Sequence, residues 1–258
     1  MSKEARRPLG DMLRELNLTG VAATYGEAGK RAEKEGWAFD RFLHHLMELE
    51  LEQRRQKRLE RVLKAAKLPV GKTLATLKQD LLPVKVRRQM ATLIEGGFVD
   101  RGENLLAFGL PGRGKTHLVC ALGAELIQRG YKVYFTPAYA LVQRLLMAKQ
   151  GLGLEREMRR LDAFDAIIID DIGYIQQTRD ETEVLFTLLA ERYERRTVII
   201  TSNLVFSQWD RIFKDPMTTA AAIDRIIHHC VILELNGTSY RADAAKARMP
   251  QTAESATA

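Results

Sequence analysis

Leu105-Leu106-Ala107-Phe108-Gly109-Leu110-Pro111-Gly112-Arg113-Gly114-Lys115-Thr116-His117-Leu118 joins an apolar strand, a glycine-rich turn and the start of an amphipathic helix. The turn reads G-x-x-x-x-G-K-T, the spacing that wraps a polyphosphate. Gly109, Gly112 and Gly114 keep side chains out of the way, so that backbone N–H groups point inward. The helix beginning near Lys115 adds its positive N-terminal dipole. Gly109, Leu110, Pro111, Gly112, Arg113, Gly114, Lys115, Thr116 and His117 are therefore the expected nucleotide-binding segment, with ATP as ligand. Lys115 carries a charge to the β- and γ-phosphates, and the Thr116 hydroxyl is placed to ligate Mg2+. A glycine turn without a ligand is the competing reading, and the strand before and helix after it argue against that.

Downstream, Ala166-Ile167-Ile168-Ile169-Asp170-Asp171 is an apolar run ending in two carboxylates, a Walker B strand. Asp170 is suited to hold Mg2+, which prefers oxygen ligands and keeps much of its water. Asp171 is placed to orient the attacking water; capping of the next helix is the bland alternative. Val198-Ile199-Ile200-Thr201-Ser202-Asn203 is a further apolar run, where Asn203 can bond the lytic water or the γ-phosphate, or simply close a turn. Arg225, late in a helical stretch, either pairs locally with a carboxylate such as Asp224 or reaches the γ-phosphate of a neighbouring subunit. Such a finger contributes roughly 10³ to 10⁵ in rate where it acts. His44-His45 and His228-His229, even with Cys230 adjacent, offer no second ligand pair at metal spacing and read as structural or surface residues.

Apolar runs alternate with helical patterns from residue 104 onward, the mark of parallel βαβ units. Strands are expected at 104–109, 131–136, 165–170, 197–202 and 231–235. Helices are expected at 115–129, 138–148, 154–161, 180–195, 207–213 and 218–229. Ahead of this α/β domain, residues 9–18, 20–35 and 39–67 read as helices. In the third, Phe39, Phe42, Leu43, Leu46, Met47 and then Leu59, Val62, Leu63 and Ala66 recur at helical steps as a core-facing stripe. Pro69 and Gly71 end that helix. The expected division is a helical domain over 1–70, a nucleotide domain over 71–241 with a hairpin turn at Gly237-Thr238-Ser239, and a disordered tail over 242–258.

A chain of 258 residues, 46% hydrophobic, can bury a substantial core. Two cysteines imply no disulfide framework. The N-terminus lacks the apolar core of a secretory signal, and no apolar run approaches the ~20 residues of a membrane span, so the cytoplasm is the expected compartment. The formal net charge of +7 suggests a polyanionic partner larger than a nucleotide. Arg54, Arg55, Lys57, Arg58, Arg61 and Lys64 concentrate that charge on the third helix and are the expected DNA contacts, with a solvated basic face as the alternative.

Together, Gly109 to Leu118, Ile168-Ile169-Asp170-Asp171-Ile172-Gly173-Tyr174, Ile199 to Asn203, Asp224 to His229 and Gly237 to Arg241 resemble the IstB family of bacterial AAA+ ATPases, relatives of DnaC and DnaA that assist a transposase. The resemblance covers roughly residues 40–241. It implies an AAA+ sheet with the Asn203 strand between the phosphate-loop and Walker B strands, and an extra helical element at about 138–162. It also implies Arg225 as a finger across a subunit interface, homo-oligomers that assemble on and remodel duplex DNA, association with the nucleoid when on DNA, and recruitment of a cognate transposase. Two features depart from many AAA+ proteins: Asp171 stands where glutamate is common, and no C-terminal lid is expected. A DnaC-like loader of the replicative helicase shares nearly all these motifs and stays open as an alternative, whereas the acceptor-site signature of a small-molecule kinase is not evident.

Overall fold

The computed structural model describes residues 7–173, 178–204, 208–209 and 216–235. The chain divides into two compact units, Met1–Arg61 and Val62–Ala258. The elements run α1 (Leu9–Glu15), α2 (Thr19–Glu35), α3 (Phe39–Ala66), a 3-10 turn (Gln79–Leu81), α4 (Val84–Ile94), α5 (Gly97–Asp100), β1 (Asn104–Phe108), α6 (Lys115–Gln128), β2 (Val133–Pro137), α7 (Ala138–Gln150), α8 (Leu154–Asp162), β3 (Ala166–Asp170), α9 (Arg179–Arg192), β4 (Thr197–Ser202), α10 (Pro216–Ile227) and β5 (Cys230–Glu234). Every expected strand is present within two residues. The expected helix at 207–213, Tyr174, the hairpin at 237–239 with Tyr240 and Arg241, the tail and the lid question lie outside the described residues or largely so.

The first unit is small. Val21, Ala28 and Leu46 form its buried centre, with Leu13, Leu18, Tyr25 and Phe42 packed around them. The stripe expected on α3 is only partly covered: Phe42 and Leu46 face α1 and α2, while Phe39 is 95% exposed and Leu43 58%. Two short helices cover one ridge of a long helix, and the adjacent ridge at four-residue steps turns away from them. Glu50, 3% exposed, reaches from α3 to the start of α2. Its Oε2 accepts from the N–H groups of Gly20 (2.7 Å) and Val21 (3.1 Å), and its Oε1 accepts from Arg54 Nε (2.8 Å). Burial alone would raise its pKa, but these donors outweigh burial and hold the carboxyl below its ordinary range. Arg54 also donates to Asn17 O (3.1 Å), and Lys57 Nζ to Thr19 Oγ1 (3.0 Å).

In the second unit the strands pair in parallel in the order β2-β3-β4-β1-β5. Alternate residues face opposite sides of the sheet. Leu106, Phe108, Tyr134, Ile167, Ile169, Val198 and Ile200 pack with Leu141, Leu145, Leu161, Val184, Leu188 and Ile226 of α7 to α10. The other face carries α6, so close that a Cβ on Gly123 would stand 2.8 Å from Ile168 Cδ1. Strands buried on both faces explain why all five residues of β1 and of β3 are buried. The extra element between β2 and β3 consists of α7 and α8. Arg192, 2% exposed, donates to the carbonyls of Leu161, Phe164 and Thr197, locking the α8–β3 turn to the start of β4. Burial lowers its pKa to about 10, which leaves it charged at neutral pH.

Candidate nucleotide site

Because β4 lies between β1 and β3, the C-terminal ends of the three strands bring the glycine loop, Asn203 and the two carboxylates to one edge of the sheet, where open α/β sheets bind ligands. The loop leaves β1 at Gly109, whose position tolerates no side chain: a Cβ there would meet Leu235 O at 2.7 Å. Leu235 N in turn donates to Phe108 O (2.7 Å), so this one residue after β5 backs the start of the loop. Gly112 (φ 80°) and Gly114 (φ 84°) take left-handed backbone that other residues rarely adopt. Leu110, 62% exposed, and Pro111 form the open tip. The helical ladder of α6 starts with Leu118 N–H donating to Gly114 O (2.9 Å), so the N–H groups of Lys115, Thr116 and His117 precede it.

Lys115 is 5% exposed, and its Nζ donates to Gly109 O (2.7 Å) and Leu110 O (3.2 Å). These carbonyls hold the ammonium within the loop. The His117 ring takes a different direction. Its Nε2 lies 3.1 Å from Thr76 Oγ1 and 3.1 Å from Thr73 O, so it ties the start of α6 to the segment before α4.

Thr201 on β4 joins the two carboxylate residues, a role that reading the β4 run for its terminal Asn203 missed. Its Oγ1 donates to Asp170 Oδ1 (2.7 Å) and accepts from Asp171 N–H (2.8 Å). Asp170 is 8% exposed, so this bond fixes a carboxylate with few other ways to turn. Asp171 sits at φ 60°, the left-handed region that Asp and Asn enter more readily than Glu. The departure from glutamate at this position thus has a backbone reason. Asn203 Oδ1 is buried without a hydrogen-bond partner among the described residues, as is Arg113 Nη1 of the loop. A Cβ on Gly173 would overlap Asn203 Oδ1, so glycine makes room for that amide.

The donor set fits Mg2+ and nucleotide. It offers a buried carboxylate oxygen and a hydroxyl for a hard cation, backbone N–H groups and a lysine for phosphates, and an orphaned donor and acceptor that a ligand would satisfy. Arg225 is not part of this edge. It stands on α10, half-buried, with its guanidinium 4.8 Å from the Phe186 ring centroid on α9. All six basic candidates on α3 are exposed. Arg55 lies 3.9 Å from Glu52, and Arg61 Nε donates to Lys57 O (3.2 Å). Burial pushes the Cys120 and Cys230 thiols up to about 12, as expected of core residues. No described helix is long and apolar enough to cross a membrane.

Solved structures with the same fold include the DnaC helicase loader (TM-score 0.50, 20% identity, 59% of this chain and 89% of that one). The AMPPCP-bound DnaA of Aquifex aeolicus is another (TM-score 0.52, 20% identity, 70% and 55%). A protein of Sinorhizobium fredii named as an insertion sequence ATP-binding protein is 43% identical over 92% of this chain and 80% of its own length. One from Pseudomonas aeruginosa, named for insertion sequence IS21, is 37% identical over 82% and 80%. The family model for IstB-like ATP binding proteins matches residues 11–247. With an AAA+ fold in which β4 lies between β1 and β3, this ATPase chain belongs to the IstB-like ATP-binding protein family.

Proposed function

We propose that the chain is an ATP-dependent transposition helper that assembles on duplex DNA and recruits a transposase. The observation that carries this reading is the meeting of phosphate loop, paired carboxylates and Asn203 at three adjacent strand ends, in a chain whose relatives are named for insertion sequences. The backbone of Gly109 to His117 cradles the phosphates, and Lys115 moves from the loop carbonyls to the β- and γ-oxygens. Thr116 and Asp170 hold Mg2+, which when bound offsets phosphate charge. Asp171 orients a water and accepts its proton as the water oxygen bonds to the γ-phosphorus and the bond to ADP breaks. Asn203 Oδ1, without a partner among the described residues, accepts a hydrogen bond from the lytic water. Arg225 acts on the nucleotide of a neighbouring subunit, and the helices over 1–70 serve assembly and DNA binding ahead of the 71–241 ATPase domain.

Thr201 is a positioning residue in this scheme. Thr201→Val should lower ATP turnover roughly tenfold to a hundredfold, since each lost buried hydrogen bond costs about 1–3 kcal/mol. It should also raise the Mg2+ concentration needed for half-maximal rate, with Thr201→Ser restoring both. A normal Mg2+ profile in Thr201→Val would show that the hydroxyl does not set Asp170.

The assembly is tested by sedimentation of the untagged chain with duplex DNA, with and without ATP. The expected result is a large complex only with ATP, weakened steeply by salt because phosphate contacts dominate. Charge reversal belongs at Arg55 and Arg58, because Arg54 and Lys57 also hold the α1–α2 region together. The Arg55→Glu/Arg58→Glu variant should lose DNA and keep ATP. A small complex in every condition would favour a helicase loader that acts through a protein partner.

A further inference from the structure

His228 and His229 occupy the turn between α10 and β5, not a helix, and a third residue meets them there from 34 positions away. Glu194 Oε1 lies 3.5 Å from His228 Nδ1 and 3.7 Å from His229 Nε2. One ligand atom from each of the three residues falls within 4.8 Å of the other two. Tetrahedral coordination at about 2.0–2.2 Å per bond places ligand atoms roughly 3.3–3.5 Å apart, so two edges of such a site stand nearly preformed. The two rings have centroids 4.3 Å apart and lie at 60° to one another, which leaves their nitrogens free to converge by rotation of exposed side chains.

We propose that Glu194, His228 and His229 bind one borderline-soft divalent metal ion of the Zn2+, Co2+ and Ni2+ type, separate from the Mg2+ of the nucleotide. Two imidazoles and one carboxylate suit such ions and not Mg2+, which keeps oxygen ligands. Solvent fills the remaining position. The Tyr193 hydroxyl, 2.9 Å from His228 Nδ1, is the outer partner that can turn to the Glu194 carboxylate and orient it. Cys230 takes no part, since its thiol is largely buried and donates to Val231 O.

Location gives the ion a purpose. His229 O accepts from Asn104 N–H (2.8 Å) at the start of β1, so the site lies at the opposite end of the sheet from the phosphate loop. Glu194 belongs to the turn between α9 and β4, and it holds a left-handed φ of 55° that is unusual for a glutamate. A metal there clips that turn to the end of α10, three residues beyond Arg225. The ion is therefore structural or regulatory, and the proposal is independent of how Arg225 acts.

The test titrates the untagged, metal-stripped full chain with Co2+ followed by Zn2+, reading Co2+ visible absorbance and calorimetric stoichiometry. The expected result is one ion per chain, displaced by Zn2+. Affinity should fall at least tenfold in Glu194→Gln and in His228→Ala/His229→Ala, and stay unchanged in His44→Ala/His45→Ala. Zn2+ at about a hundredfold over its Kd should also raise the Tm of the wild type by several degrees and leave that of Glu194→Gln unmoved. ATP affinity should be the same in all of them. Equal Co2+ binding by wild type and Glu194→Gln, or loss of binding in His44→Ala/His45→Ala, overturns the site. Glu194→Gln decides the matter even where the double histidine variant fails to fold.

Discussion

Lys115→Ala is expected to weaken ATP binding by roughly a hundredfold or more, and with it to remove nucleotide-dependent assembly on DNA. The size follows from what the ammonium exchanges. Its Nζ donates to the carbonyls of Gly109 and Leu110, and in the proposed scheme those two bonds give way to charge-assisted bonds with phosphate when nucleotide binds. Each such bond is worth about 1.5–3 kcal/mol, or about one to two powers of ten in affinity. Alanine also removes the cross-link that folds the loop back over its own start. The fold should survive, because the strand and helix on either side are held by Leu105, Leu106, Leu118 and Leu122, all fully buried. Fluorescent-nucleotide titration together with thermal unfolding separates the outcomes: wild-type affinity in a folded Lys115→Ala protein would remove the phosphate-loop assignment.

Arg225→Ala is expected to keep nucleotide binding and to lose roughly 10³-fold or more of turnover, the contribution of an arginine finger. A local role predicts far less. The guanidinium over Phe186 is a half-exposed cation–π contact, worth about 0.5–1 kcal/mol, and its loss alone would shift stability and leave hydrolysis nearly intact. Mixing distinguishes action between subunits from action within one. Asp171→Asn should bind ATP without hydrolysing it, since Asn tolerates the left-handed backbone at 171. Combined with Arg225→Ala, it offers an intact Arg225 to a subunit with an intact Asp171, so turnover should partly recover. No recovery in assembled mixtures would place Arg225 within its own subunit or outside the reaction.

Much of the candidate nucleotide site was legible in sequence order because each part is local. A phosphate loop, a Walker B run and a polar strand end are each contiguous, and their chemistry depends on spacing along one chain segment. Asp171 shows the limit. The sequence recorded an unusual acid, and only the backbone angle gave a physical reason for it. Arg54 shows another, since a basic run on one helix face cannot reveal that one of its members pairs with a buried Glu50.

From sequence alone came the five strands to within two residues and the approximate positions of most helices, since strands buried on both faces and helices with one covered face leave periods of their own in the order of residues. Also settled there were the parallel character of the units, the nucleotide class and the family resemblance. The family resemblance already implied β4 between β1 and β3, but tertiary structure alone decided that Thr201 reaches both Asp170 and Asp171. It also decided that Gly109 is pressed against Leu235, that the His117 ring turns to Thr73 and Thr76, and that Glu194 meets His228 and His229. Each of these contacts joins residues about 30 or more positions apart. Such contacts are set by packing of the whole domain, and no local pattern of residues encodes them.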